Sequence, residues 1–71
     1  MRPKHYPGDT TTVNGVTLKI VRRAGRLVRV EIGGEERDVT WCEPLEMGGE
    51  IFRLYPTATG GVWVLSDEET R

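Results

Sequence analysis

Apolar and polar residues alternate along much of this chain, which is the pattern of β-strands that turn one face inward. The alternation is cleanest over residues 27–32, where Val28, Val30 and Ile32 are separated by charged side chains. Residues 16–22 repeat the pattern with three aliphatic side chains on one face. The chain is therefore predicted to be built from short strands, each with one buried face.

Turn signals separate these stretches. Nine glycines and four prolines interrupt the chain, and Asn14-Gly15 is the strongest signal because both central residues of a type I′ turn need positive φ. Residues 44–49 are predicted to be a loop, with one helical turn begun by Pro44. The alternation and the turns together predict six strands, at residues 10–13, 16–22, 27–32, 36–42, 50–55 and 62–65.

Consecutive short strands usually pair with their neighbours in an antiparallel meander. Without a helix to cover it, a flat sheet would leave its apolar face in water, whereas closure into a barrel buries that face and protects the strand edges. We therefore predict an all-β fold, a small five- to six-stranded antiparallel meander that closes into an SH3-like or truncated OB-like barrel. This single domain spans residues 9–66, between an extended N-terminal arm over residues 1–8 and an acidic C-terminal tail over residues 67–71.

The alternation also divides the apolar residues into an inward and an outward set. The predicted interior consists of Val16, Leu18, Ile20, Val28, Val30, Ile32, Val39, Trp41, Phe52, Leu54, Val62 and Val64. The residues left pointing outward are Val21, Leu27, Ile51, Tyr55, Trp63 and Leu65. This is more large apolar surface than a small monomer normally exposes in one patch. A protein-binding patch, a homodimer seam, a covering loop or inward curling of the barrel would each account for it.

The residue inventory argues against catalysis and against a cofactor. The chain has one cysteine, Cys42, and one histidine, His5, which lies in a proline-flanked segment away from it. A Cys–His pair needs hydrogen-bond contact and usually a third orienting group, and a closed zinc site needs four ligands. We therefore expect no enzyme activity, no metal and no cofactor.

The sequence also predicts the compartment. A single cysteine cannot form an internal disulfide, which favours a reducing, cytoplasmic location. No apolar run approaches the roughly 20 residues of a membrane span, and no apolar stretch follows the basic N-terminal residues as it would in a secretory signal. We expect a cytoplasmic protein without a membrane partner.

Charge is distributed unevenly along the chain. Residues 1–30 carry seven basic side chains and one acidic, a net charge of +6, whereas residues 31–71 carry three basic and ten acidic, a net charge of −7. The two halves would neutralise each other if they lie side by side, and would otherwise make a charged contact surface.

These observations predict a small non-enzymatic binding module, such as an adaptor, a regulator or a phage-type inhibitor, that docks on a protein partner. Its predicted contact residues are Arg53, Tyr55, Trp63, Leu27 and Ile51, because aromatic residues and arginine dominate binding hot spots.

Nucleic-acid binding is the alternative function. The residues that would contact phosphates are Lys19, Arg22, Arg23, Arg26 and Arg29, while Trp63 or Tyr55 would stack on bases. Solvated arginines that guard a hairpin against aggregation explain the same basic cluster, and the low pI of about 5.8 is unlike that of a dedicated nucleic-acid binder.

Overall fold

The computed structural model describes residues 4–67, and this part of the chain forms seven β-strands and no helix. The predicted all-β class is confirmed, but the predicted five to six strands are one or two too few. The strands are β1 (Thr10–Val13), β2 (Val16–Ala24), β3 (Leu27–Ile32), β4 (Glu35–Thr40), β5 (Leu45–Met47), β6 (Glu50–Pro56) and β7 (Val62–Ser66).

The strands form two antiparallel sheets rather than one continuous sheet. The first has the order β1-β2-β3-β4 and the second the order β5-β6-β7. Within each sheet the strands pair with their neighbours in the chain, as predicted, whereas β4 and β5 belong to different sheets. The described strands do not form a closed barrel. The coarse prediction of an antiparallel meander is thus confirmed within each sheet, and SH3-like closure stays a prediction.

The prediction of a loop over residues 44–49 is wrong, because residues 45–47 form a strand. Leu45 and Met47 are fully buried in a short strand that pairs with β6, and Glu46 between them points outward. Gly48 and Gly49 form the two-residue turn of this hairpin, with φ of 62° and 86°. The alternation was missed because three residues are too few to give a period, but the Gly-Gly pair is itself a hairpin signal.

The strand β2 runs two residues further than predicted and contains a β-bulge. Its register with β3 shifts between Ile20 and Arg22, so that the outward side chain after Lys19 is Arg22 rather than Val21. A bulge adds one residue to one strand and so reverses the alternation beyond it. Arg23 consequently points to the inner side, opposite the buried Val28.

Facing sides of the two sheets enclose one core. Its buried side chains are Leu18, Ile20, Val28, Val30, Val39, Leu45, Met47, Phe52, Leu54 and Val62. Four residues predicted to lie inside, Val16, Ile32, Trp41 and Val64, are only partly buried at its margin. Val16 and Ile32 lie at strand ends and Trp41 follows β4, whereas Val64 is at the centre of β7.

The chain passes between the sheets at two places. After β4, the amide of Cys42 donates to the carbonyl of Leu54 in β6 (3.0 Å). Near the N-terminus, His5 and Val62 exchange two backbone hydrogen bonds of 2.9 and 2.7 Å. The part of the predicted arm that is described is therefore bonded to β7.

Residues 1–3, and with them part of the predicted arm, lie outside the described residues, as does the predicted acidic tail beyond Asp67. In the part that is described, no helix has the length and apolar composition needed to cross a membrane.

Two turns from different sheets touch each other. The Asn14 side-chain amide donates to the carbonyl of Met47 (3.3 Å) and to Glu50 Oε1 (2.9 Å). A Cβ added at Gly48 would lie 2.5 Å from Asn14 Cβ and 2.7 Å from its carbonyl oxygen, whereas one added at Gly49 would meet nothing. Glycine is thus required at position 48 by lack of space as well as by its φ.

We expect Gly48→Ala to lower the free energy of unfolding by about 3 kcal/mol, because it combines backbone strain with overpacking against Asn14. The matched control is Gly49→Ala, which carries only the positive-φ strain and should cost about 1 kcal/mol. Urea denaturation of both variants measures the difference. Equal losses would contradict the close approach of the two turns.

Candidate functional site

Four of the five predicted protein-binding residues share one surface, on the solvent side of the β5-β6-β7 sheet. Ile51, Arg53 and Tyr55 alternate along β6 with the buried Phe52 and Leu54. Their neighbours on β7 are Trp63, opposite Tyr55, and Leu65, opposite Arg53. We call these five residues (Ile51, Arg53, Tyr55, Trp63 and Leu65) the outer face.

An aromatic pair forms one end of the outer face. Tyr55 and Trp63 are directly opposite each other on neighbouring antiparallel strands, a spacing at which side chains touch across the sheet. Trp63 is 38% exposed and Tyr55 is half-buried. Within residues 4–67, neither the Tyr55 hydroxyl nor the Trp63 indole N–H has a hydrogen-bond partner. Both polar groups are available to a ligand.

Arg53 lies at the centre of the outer face and is held from two sides. Its Nε donates to Asp67 Oδ1 (2.8 Å), and its Nη1 donates to the carbonyl of Cys42 (2.8 Å). The hydrogen bond to Asp67 raises the pKa of the Arg53 guanidinium above its ordinary value. The cation is therefore fixed in position before any partner binds. Sequence reasoning assigned Asp67 to the tail, because nothing in the sequence links two residues fourteen positions apart.

Ile51 forms the opposite end of the outer face. It is 36% exposed and faces Glu46 on β5. Glu46 Oε2 accepts a hydrogen bond from the amide of Gly49 (2.6 Å), which holds its carboxylate beside the turn. This end of the surface therefore combines an aliphatic side chain with a fixed negative charge.

Tyr6 packs against the chain just before β7 and was not predicted to be part of a site. A Cβ added at Gly61 would lie 3.1 Å from its ring, so Tyr6 covers Gly61 just before β7. Its hydroxyl shares a hydrogen bond with the hydroxyl of Thr59 (2.9 Å). Tyr6 is 39% exposed. The proline on its C-terminal side led sequence reasoning to place it in a separate arm.

Leu27, the fifth predicted contact residue, is not part of this surface. It is 45% exposed, but it begins β3 in the other sheet, between Ala24 and Thr40. The structure therefore places Leu27 on a different sheet from the other four predicted residues, and its role in binding stays a prediction. Alternation predicts which residues point outward but does not predict which of two sheets carries them.

The predicted basic cluster is divided by the fold. Arg23 lies 5.1 Å from the centre of the Trp41 ring and donates to the carbonyls of Thr57 (3.2 Å) and Gly61 (3.3 Å). It thereby connects β2 to the loop between β6 and β7. Since the Trp41 indole N–H donates to the carbonyl of Gly25 (2.9 Å), both groups close one end of the core.

Arg29 is engaged by acidic side chains. Its Nε donates to Glu36 (2.6 Å) and its Nη1 to Asp38 (3.2 Å), both on β4. The hydrogen bond to Glu36 and the negative charge of Asp38 raise its pKa above the ordinary value. The basic and acidic halves of the sequence thus lie side by side here and neutralise each other.

Three members of the basic set remain exposed, namely Lys19, Arg22 and Arg26. Among residues 4–67 none of them forms an ion pair. Lys19 and Arg22 share the solvent side of β2 because of the bulge, and Glu31 lies opposite Lys19. The surface here is mixed in sign rather than uniformly basic.

Cys42 and His5, the residues considered for catalysis or metal binding, lie in different segments of the chain. Cys42 is exposed after β4, with φ of 64°, and the backbone of His5 is bonded to β7. Over the described range, no group of three or more histidine, cysteine or acidic side chains is arranged to hold a metal ion.

Comparison with known proteins yields no relative. No family model matches the chain, and no curated protein or solved structure is significantly similar to it. Its function is therefore inferred from its own residues.

We expect Arg23→Ala to lower the free energy of unfolding by about 2 kcal/mol, because it removes two charged hydrogen bonds and the contact with Trp41. The neighbouring Arg22→Ala is the control, since Arg22 is exposed on the other side of β2, and it should change stability by less than about 0.5 kcal/mol. Thermal and urea unfolding measure both. A larger loss for Arg22→Ala would show that the bulge does not orient these two side chains as described.

Proposed function

We propose that this protein is a small non-enzymatic binding module, acting as an adaptor, regulator or inhibitor, that docks on a protein partner through the outer face. The observation that carries the proposal is the pair formed by the half-buried Tyr55 and the exposed Trp63, side by side on paired strands with both polar groups unbonded among the described residues. An apolar ring surface with an unused hydrogen-bonding group is typical of interface anchors.

Rigidity of the outer face supports this proposal. Its side chains project from paired strands rather than from a loop, and Arg53 is already fixed by Asp67 and Cys42. Binding would therefore order few rotamers, which reduces the entropic cost of association. Tyrosine, tryptophan and arginine are also the residue types most frequent among binding hot spots.

The size of the outer face favours a short segment of a partner protein. Seven residues of β6 at about 3.3 Å each give a length of about 23 Å, and three strands at about 4.8 Å give a width of about 14 Å. The resulting plan area of about 300 Å² is well below the roughly 800 Å² that each partner buries in a standard interface. A second copy of this chain would need more surface than that.

Charge favours a segment with a particular orientation. Arg53 is neutralised by Asp67, while Glu46 beside Ile51 has no cationic partner in residues 4–67. A partner segment with apolar side chains over Tyr55 and Trp63 and a basic side chain near Glu46 would satisfy both ends.

An SH3-like barrel is the architecture that we propose for this module. Two backbone contacts support it. The hydrogen bond from the amide of Cys42 to the carbonyl of Leu54 attaches the segment after β4 to β6 in the second sheet, and the two hydrogen bonds between His5 and Val62 attach the N-terminal segment to β7. Chain segments shared between two sheets are how a small barrel closes.

Nucleic-acid binding is the second candidate, supported by the alignment of Lys19 and Arg22 on one side of β2 with Arg26 at the adjacent turn. It is the weaker candidate because Arg23 and Arg29, the other members of the set, are engaged within the fold. Binding of labelled RNA or DNA that weakens steeply with salt would favour it.

We expect Trp63→Ala to weaken binding of the protein partner by at least about 30-fold, since hot-spot truncations cost 2 kcal/mol or more. The partner is isolated with the wild-type protein as bait, and affinities of purified variants are then measured by calorimetry. Leu27→Ala is the matched control, because it removes a similarly exposed apolar side chain from the other sheet. Its affinity for the partner should change by less than about twofold.

Equal affinity of Trp63→Ala and wild type would contradict docking through the outer face. Sedimentation of the isolated protein distinguishes a homodimer seam, because a seam at this face would yield dimers that Trp63→Ala dissociates. Unfolding measurements on each variant verify that the fold is retained.

A further inference from the structure

The strand β1 leaves one side of its backbone unpaired. It pairs with β2 through a two-residue turn in which Val13 faces Val16 and Thr11 faces Leu18. Because alternate residues of an antiparallel strand bond to the same neighbour, the amides and carbonyls of Thr10 and Thr12 point away from β2. Both residues are exposed, and no described residue bonds to them on that side.

Other strand edges in the described part of the molecule are protected. The edge of β4 carries Glu36 and Asp38, and β5 is three residues long with Glu46 at its centre. On β7, Val62 is already bonded to His5. Charge, short length and cover are the usual means by which proteins prevent edge pairing.

The edge of β1 has none of these protections except its modest length. Its four residues, Thr10–Val13, are uncharged and β-branched. The flanking polar side chains are turned to other contacts: Asp9 accepts from the amide of Tyr6 (2.8 Å), and Asn14 donates to the β5–β6 hairpin. An unguarded edge of this kind is a template for another strand.

We propose that β1 pairs with β1 of a second copy of this chain, antiparallel about a two-fold axis through Thr11. This register places Thr10 opposite Thr12 of the second copy in a hydrogen-bonded pair, and the symmetry repeats that pair. The two four-stranded sheets would then become one eight-stranded sheet.

A second copy fits this edge because the edge is complementary to itself. Opposed threonines are a favourable cross-strand pair, and no like charges meet. The nearest charges are Asp9, which precedes Thr10 in the chain, and Lys19, opposite Thr10 on β2. In this register the two copies of Asp9 would lie four residues apart along the strands, about 13 Å. The two copies of Lys19 would be at least three strand spacings apart, about 14 Å, which exceeds the screening length of about 8 Å at physiological salt.

The proposed pairing is independent of the proposed function and leaves the outer face accessible, since that face belongs to the other sheet. Four backbone hydrogen bonds must offset the translational and rotational freedom lost on association, so the pairing by itself is weak. Association would therefore be marked only where copies are concentrated, for example on a partner with repeated sites. The pair would then present two outer faces and bind such a partner with avidity.

Disulfide trapping tests the register. In a Cys42→Ser background, Thr11→Cys would place two sulfurs in a non-hydrogen-bonded pair, at a Cα separation of about 4.5 Å that permits a disulfide. Thr17→Cys is the control, because Thr17 is on β2, one strand from the edge, and is more exposed than Thr11. Random collisions would therefore crosslink Thr17→Cys faster.

At about 1 mM protein under mild oxidation, we expect Thr11→Cys to form covalent dimers at least about tenfold faster than Thr17→Cys, in keeping with the effective concentration that pairing provides. Adding Thr12→Pro removes an amide that points away from β2, so the fold is retained while the rate should fall to that of the control. Thr12→Lys, which guards the edge with a charge, should act likewise. Similar rates for the two cysteine variants, or no effect of either Thr12 substitution in folded protein, would overturn the proposal.

Discussion

Neither sheet of this protein can bury its apolar side alone, so every other feature depends on the contact between the two. Among residues 4–67 the core has ten buried apolar side chains, five from β5, β6 and β7 and five from β2, β3 and β4. Polar contacts fix how the sheets meet: Arg23 reaches the loop before β7, and Asn14 reaches the β5–β6 turn. A chain of this size buries only a small apolar core. The hydrogen bonds of Arg23 and Asn14 between the sheets therefore contribute to stability alongside the core.

Sequence reasoning predicted the strands whose alternation is regular and long. The residues of β3 have the predicted bounds, and the Asn14-Gly15 turn has the positive φ values of 49° and 79° that its residue types favour. The failures have local causes. The three residues of β5 are too few to show a period, and the bulge in β2 reverses an alternation that sequence alone continues unchanged.

Which residues of the candidate surface point outward could be predicted for a related reason. The outward positions of Ile51, Arg53, Tyr55 and Trp63 follow from period-two alternation within single strands, so the sequence contains them. The fixing of Arg53 by Asp67 and the separation of Leu27 from the others depend on which strands become neighbours. That information arises only from the packing of the two sheets.

The β-bulge in β2 determines which of two adjacent, identical side chains faces the interior. Arg22 lies on the solvent side and Arg23 on the side of the core only because one extra residue precedes them. If Val21 instead took a regular position in the ladder with β3, alternation would turn Arg22 inward and Arg23 outward. The clamp between the sheets is thus encoded by the bulge as well as by residue type, and a change that lets Val21 pair regularly with β3 would exchange the roles of the two arginines without altering either of them.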